Sequence, residues 1–198
     1  MNEPEWFLDT AYKLGNDIDL VQGTGGNISA KLDGRRMIIK ASGVRLGSVA
    51  DKGGYVIVDY KDIASVYSGR AAESYANDTV RNSVVDGSGL PSIETGFHSF
   101  LKKYVVHLHP ASMNIILCSG NGREIMLDLF RDTDFLWVPY VNIGHKLASE
   151  IKRLLEYRPS DPEIIFLENH GVIISSEDQN CMPAVSNATE RVNRYLES

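Results

Sequence analysis

Three short stretches carry the side chains best suited to chemistry: Glu94, the pair in His107-Leu108-His109, and His170 within Glu168-Asn169-His170-Gly171. A carboxylate, a His-x-His pair and a distant third histidine are the parts of a catalytic zinc centre. Such a centre takes three protein ligands and leaves a fourth position for water or substrate. The run Val105-Val106-His107-Leu108-His109 reads as a strand. Side chains two apart on a strand share a face, so His107 and His109 project together while Val106 and Leu108 turn to a core. A third ligand must come from a neighbouring strand or turn, a place that suits His170. Singly, each residue has a plainer use. A strand histidine more often packs or meets solvent, and a glutamate at a helix start usually answers the helix dipole.

The elements around these residues follow from periodicity. Residues 4–15 place Trp6, Phe7, Ala11 and Leu14 at helical spacing. Gly23-Thr24-Gly25-Gly26-Asn27 reads as a loop, and Ile28 to Leu32 as a strand. Asp33-Gly34 is a hairpin turn before a return strand, Arg36 to Ala41, and Tyr55 to Tyr60 is a further strand. Residues 68–90 are rich in Ser, Gly, Asn and Asp. They read as a long surface loop, with at most a short helix or strand inside. Pro91-Ser92 opens a helix with Ile93, Phe97, Phe100 and Leu101 on one face, and with Glu94 and His98 on the polar side. Helices are expected at about 111–118, 125–130, 143–157 and 183–196, with a short strand at Leu136 to Pro139. Ile164 to Leu167 and Val172 to Ser175 pair antiparallel around the His170 turn. The pattern is α/β with a mainly antiparallel or mixed sheet. Strict βαβ alternation, which a doubly wound sheet needs, is missing.

Composition narrows the function. The 198 residues suit one domain, 1–198, and the formal net charge of −6 argues against a general nucleic-acid surface. A small anionic substrate stays compatible, because a local nest of backbone N–H groups with a metal binds phosphate inside an acidic protein. No apolar run is long enough to span a membrane. The acidic start Met1-Asn2-Glu3-Pro4-Glu5 does not resemble a secretion signal, and two cysteines suit a reduced, cytoplasmic protein. Cys118 is expected in a core as a small hydrophobe. His145 reads as a helix-start residue and His98 as a supporting one. Lys40 is a candidate Schiff-base lysine only if the three histidines go unexplained.

Five segments in order then carry a likeness: Gly25-Gly26-Asn27-Ile28-Ser29, Lys40-Ala41-Ser42-Gly43, Pro91-Ser92-Ile93-Glu94, His107-Leu108-His109-Pro110 and Asn169-His170-Gly171, with Val138-Pro139-Tyr140 beside them. Together they resemble the class II aldolase/adducin family, whose best-known members are zinc-dependent fuculose- and rhamnulose-phosphate aldolases. The likeness runs from about residue 5 to 195. It implies a single three-layer α/β/α domain around a mostly antiparallel, mixed sheet. It implies Zn2+ on His107, His109 and His170, with Glu94 as acid/base and as a further ligand when no substrate is bound. It implies that Gly26, Asn27, Ser42, Gly43 and Ser92 line a phosphate pocket. The implied activity is carbon–carbon bond cleavage of a small ketose phosphate or related hydroxy-ketone through a zinc-stabilised enediolate, in a homo-oligomer, most often a tetramer. A ketose-phosphate dehydratase or sugar-phosphate 4-epimerase would use the same site, although the epimerases tend to carry Asp in place of Glu94. A non-enzymatic adducin-like module would have lost the ligands this chain keeps. Ile93 stands where many aldolases have a second serine, so one hydroxyl donor to phosphate is missing. The stretch between Gly43 and Glu94 is longer than in the compact aldolases, and that from His109 to Pro139 is shorter. No match stands out for the tyrosine that protonates the leaving aldehyde in some of them.

Overall fold

A computed structural model describes residues 1–69 and 71–198. Eight strands form one sheet: β1 (Asn27–Lys31), β2 (Arg36–Lys40), β3 (Tyr55–Asp59), β4 (Val84–Asp86), β5 (Tyr104–Leu108), β6 (Phe135–Val138), β7 (Ile164–Leu167) and β8 (Gly171–Ser176). Their spatial order is β4-β3-β2-β1-β5-β8-β7-β6. Every neighbouring pair is antiparallel except β6 with β7. The mixed sheet expected from the sequence is therefore present.

Helices cover both faces, which is why the central strands are apolar on both sides rather than alternating. On one face, α1 (Glu3–Gly15) brings Trp6, Phe7, Ala11 and Leu14 against Ile28, Ala30, Val106 and Leu108. That face is completed by α5 (Ala111–Leu117), α6 (Gly122–Leu129) and α8 (Cys181–Leu196). The other face carries α2 (Tyr60–Val66), α3 (Glu73–Asn82), α4 (Thr95–Phe100) and α7 (His145–Leu155). There Ile63, Phe97, Leu147 and Ile151 pack on Ile39, Val56, Val105 and Ile173. Both layers are built from fully buried side chains, each contributing roughly 1.5–3 kcal/mol by leaving water. A rigid sheet sandwiched this way holds its strand ends in fixed positions, and the chemistry sits at one such end.

Several elements differ from the sequence expectation. The third strand stops at Asp59, and Tyr60 opens α2. The Asp59 carboxylate caps that helix by accepting from the backbone N–H groups of Lys61 and Asp62, a role aspartate performs well. Residues 68–90, read as mainly loop, hold α3 and the edge strand β4; position 70 lies outside the described residues. Only Ala76 and Val80 of α3 are buried, so the apolar stripe is a single i,i+4 pair and its polar residues masked it. The helix after Pro91 begins at Thr95, and Glu94 precedes it. Ser92 causes the delay: its hydroxyl accepts from the Glu94 N–H, and its carbonyl accepts from both the N–H and the hydroxyl of Thr95. That tight turn swings Ile93 outward, leaving it 51% exposed rather than on the buried face. Cys118 also departs from expectation: it closes α5 at the surface, and the buried thiol is Cys181. Both are free. No helix among the described residues is long and apolar enough to cross a membrane.

Candidate metal centre

His107 is the fourth residue of β5 and His109 lies just past its end. His109 is fixed there by its backbone N–H donating to the Leu20 carbonyl at 3.0 Å. β8 is the direct neighbour of β5, so the turn that joins β7 to β8 hangs over the same strand end. That turn holds His170. It is set by Asn169, whose left-handed φ of 56° reverses the chain, a conformation asparagine tolerates better than most residues. The three imidazoles converge. His107 Nε2 stands 2.9 Å from His109 Nε2 and 3.2 Å from His170 Nε2. Glu94 Oε1 closes the fourth side, 3.3 Å from His107 Nε2 and 3.4 Å from His170 Nε2.

The hydrogen on one ring can be placed. His107 Nδ1 lies 3.0 Å from the Val172 carbonyl, which can only accept. Nδ1 therefore carries the proton and Nε2 turns a lone pair to the centre. Such a partner on the far nitrogen is the usual means of orienting a metal-binding histidine. Lone pairs and a carboxylate oxygen facing each other at these distances repel unless a positive charge lies between them. Nitrogens held at about 2.0–2.1 Å from one tetrahedral ion stand about 3.3 Å apart, close to the spacings seen. The donor set thus fits a divalent metal, with His107, His109 and His170 as the nitrogens that would hold it. Among the described residues they form the one such cluster.

Electrostatics agree with that reading. Burial alone would raise the Glu94 carboxyl, but positive charge at His107 and His170, whether a proton on the rings or a cation between them, holds it well below the usual carboxylate range. It is a carboxylate at neutral pH. Burial, then repulsion from His107 and His170, brings His109 down to about 3, so its ring is neutral and free to ligate.

Two glycines flank the His109 ring. A Cβ on Gly25 would lie 2.9 Å from His109 Nδ1, and one on Gly171 would lie 2.8 Å from its Cδ2 and 2.3 Å from the Leu108 carbonyl oxygen. Any side chain at either position displaces the ring. The sequence pattern points to the Gly23–Gly26 loop as a source of N–H groups for an anion, and gives no sign of the steric task of Gly25 and Gly171.

Lys40 is another residue whose task shows only in three dimensions. Its buried ammonium donates to the Val44 carbonyl at 2.8 Å and reaches those of Thr24 and Ala41 at 3.3 and 3.4 Å. It ties the glycine loop to the Ser42-Gly43 turn. Burial lowers its pKa against the pull of Glu94. Committed to three carbonyls, this amine is a structural clamp.

The remaining residues expected in the site fall into two places. Ser42 and Ser92 share a cleft of about 320 Å3. They are drawn together by the bridge of Ala41 with Pro91 and by the Ser42 N–H donating to the Leu90 carbonyl. Gly26, Asn27 and Gly43 do not line that cleft. Asn27 sits opposite His107 in the β1–β5 register. It is fully buried, and its Nδ2 lacks any partner among the described residues. An unpaired buried amide costs about 1–3 kcal/mol, a cost the fold carries beside the centre. Gly26 and Gly43 have left-handed φ of 71° and 75°, which glycine alone adopts cheaply.

Residues 8–191 match the family model for the class II aldolase and adducin N-terminal domain. The chain belongs to this family. Among curated proteins, it is 28% identical over 196 residues to the Bacillus subtilis protein named uncharacterized oxidoreductase YuxG, covering 92% of this chain but only 28% of that protein's length. It is 22% identical to a methylthioribulose-1-phosphate dehydratase of Microcystis aeruginosa, over 99% of this chain and 96% of the relative. Among solved structures, the N-terminal class II aldolase domain of a conserved Thermoplasma acidophilum protein superposes with a TM-score of 0.82 at 24% identity, covering 96% of this chain and 92% of that one. An L-fuculose 1-phosphate aldolase gives a TM-score of 0.68 at 20% identity, with 98% and 84% covered. The class II aldolase fold is thus shared, and the family's members include both aldolases and dehydratases.

One histidine of the class II aldolase-like domain lies beneath the centre rather than in it. His98 is wholly buried on α4, stacked on Phe97, with Nδ1 2.7 Å from the Ser29 hydroxyl. Burial takes its pKa down to about 3, with Glu94 pulling upward and His107, Lys31 and Lys40 pushing down. An unfolded imidazole titrates near 6.5. Between those values the unfolded chain holds a proton that the folded one does not. Stability therefore falls as pH drops through the window, by about 1.4 kcal/mol per pH unit for each such ring. Urea unfolding of metal-free protein from pH 7 to 5 should show this slope, and His98→Gln should flatten it by about one proton. An unchanged slope in the variant would remove His98 from the account.

Proposed function

We propose that residues 1–198 act as a metal-dependent lyase domain, an aldolase that cleaves or forms a carbon–carbon bond of a small ketose phosphate or related hydroxy-ketone. The observation that carries this is the convergence of three imidazole nitrogens and the Glu94 carboxylate on one point. The resident ion in this reading is Zn2+, one per chain, held by His107, His109 and His170. When bound, it would act as a Lewis acid on the substrate's carbonyl and adjacent hydroxyl oxygens.

The chain's own groups supply the rest. Glu94 is ionised and faces the point on which the imidazoles converge, so it would face a substrate bound there. It accepts the proton from the carbon that becomes the nucleophile, and returns it in the reverse direction. The backbone turn at Ser92 fixes it. Ser42 and Ser92 line the cleft for the substrate's anionic end, Gly26 and Gly43 shape the turns next to Asn27 and Ser42, and Asn27 offers its unpaired Nδ2 on the strand beside His107. Holding that end fixes the reacting carbons over the metal, which is catalysis by positioning. In the cell we place the domain in the cytoplasm, as a homo-oligomer, a tetramer by likeness to the family, with a small sugar-phosphate-like molecule as its partner.

Similarity to the Microcystis dehydratase over nearly the full length of both chains supports a second reading. The same carboxylate would take the proton next to the carbonyl, and the bond to the hydroxyl one carbon further on would break, releasing water. One experiment separates them. Zinc-loaded protein is incubated with dihydroxyacetone phosphate and a panel of aldehydes, then with ketose phosphates alone. New carbon–carbon products are expected. Loss of water from a ketose phosphate with no condensation product would replace the aldolase by the dehydratase. Inversion of a single hydroxyl centre would point to the 4-epimerase, and protein that binds no metal would leave only a non-catalytic module.

A further inference from the structure

One wall of the cleft shared by Ser42 and Ser92 is α3. Asn77 and Arg81, one helical turn apart on α3, both line the cleft. Arg81 forms no ion pair with any described residue. Arg45 and Arg123 are likewise unpaired among the described residues, but of these three only Arg81 lines the cleft with Ser42 and Ser92. The N-terminus of α7 contributes Gly144 and His145 to the same cleft. That helix has eleven residues and no side-chain cap on its first turn. Unmet N–H groups at such an end carry a partial positive charge that favours an anion. His145 adds a buried Nδ1 without a partner.

Ile93 brings an apolar side chain to the cleft and packs against Gly144, where an added Cβ would meet Ile93 Cγ1 at 3.2 Å. The polar groups left to meet an anion there are the hydroxyls of Ser42 and Ser92 and the Arg81 guanidinium. One acidic side chain, Glu73, also lines it. Glu73 lies eight positions before Arg81, about 12 Å along the helix axis, and neither it nor Asp78, three positions before Arg81, forms an ion pair with the guanidinium.

We propose that Arg81 is a specificity-determining residue that anchors the terminal phosphate of the substrate in this cleft, beside the hydroxyls of Ser42 and Ser92. The inference rests on the lyase reading above for its substrate class. A guanidinium offers a planar fork that meets two phosphate oxygens at once, which a serine cannot do. The α3 segment thereby makes the pocket selective for a phosphate monoester over a neutral ketone, with Ser42, Ser92 and the α7 end completing the cradle.

The test compares the zinc-loaded wild type with Arg81→Met and Arg81→Lys, titrated with dihydroxyacetone phosphate, dihydroxyacetone and inorganic phosphate. Arg81 is on the surface of a helix, and Met keeps helix propensity and stem, so unchanged melting and metal content are expected. Wild type should bind dihydroxyacetone phosphate at least about tenfold tighter than dihydroxyacetone. Arg81→Met should weaken the phosphorylated ketone and inorganic phosphate by about 10- to 100-fold, as loss of charge-assisted hydrogen bonds does. It should leave dihydroxyacetone unchanged, and Arg81→Lys should recover part of the loss. A Met variant that keeps the wild-type preference overturns the proposal, as does a wild type with no preference for phosphate. If the protein holds no metal, the lyase reading fails by itself. The inorganic phosphate arm, run on metal-free protein, still decides the role of Arg81.

Discussion

Glu94→Gln is expected to abolish turnover while the protein keeps its metal. The substitution preserves shape and leaves the Ser92 turn intact, since that turn uses the backbone N–H of residue 94. It removes the lone function that only a carboxylate supplies, the acceptance of a proton from carbon. Positioned general bases contribute about 10²–10⁴-fold, and at this site no other described group stands in for one. The neighbouring imidazoles are turned to the metal, and Lys40 is bound to three carbonyls. A fall in kcat of about 10³ or more is therefore expected, with zinc stoichiometry unchanged by elemental analysis. The 3.3 and 3.4 Å separations from His107 and His170 also place the carboxylate at ligand range when no substrate is present. A modest loss of zinc affinity would accompany the change, because an amide oxygen is a poorer ligand than a carboxylate. Full activity in the Gln variant would show that another group moves the proton, and the mechanism above would have to be rebuilt around it.

The site was legible in the sequence to the extent that local rules govern it. A two-residue spacing on a strand fixes which face His107 and His109 share, and two apolar runs bracketing Asn169-His170-Gly171 make a hairpin. Neither inference needs the rest of the chain. What joins them is the adjacency of β5 and β8, a pairing across more than sixty residues. Spacing alone does not encode that, and the family likeness supplied it. Glu94 precedes its helix rather than lying inside it because the Ser92 turn is a side-chain effect that periodicity does not see. Steric and clamping residues stayed hidden for a related reason. Gly25 and Gly171 matter through what a missing Cβ makes room for, and Lys40 through carbonyls on two loops that meet only after folding. In α3 the weak apolar signal concealed a helix, and with it the guanidinium that lines the Ser42–Ser92 cleft. Cys118 followed the general preference of thiols for the interior and was overruled by its place at the exposed end of α5.

His170→Ala should uncouple metal from stability without unfolding the protein. Of the three imidazoles His107 is embedded in β5 and bonded to Val172, so its loss would orphan a buried carbonyl and confuse binding with folding. His170 is only partly buried, on a turn, and its side-chain contacts are the other members of the centre. Truncation there should cost the metal-free protein little, within about 0.5 kcal/mol as for most surface positions. A ligand that binds only the folded state at a hundred times its Kd adds about 2.7 kcal/mol. For a domain of this size that raises Tm by roughly 5–10 °C. The wild type should show this rise on adding zinc to chelator-treated protein, and lose it again with chelator. The Ala variant, left with two imidazoles and Glu94, should melt at the wild-type metal-free temperature and respond little to zinc. The difference between the two titrations isolates the third nitrogen, because it cancels any weak zinc binding elsewhere on an acidic surface. Equal rises in both proteins would mean that the ion binds at another place, and that the convergence of these three rings serves packing rather than coordination.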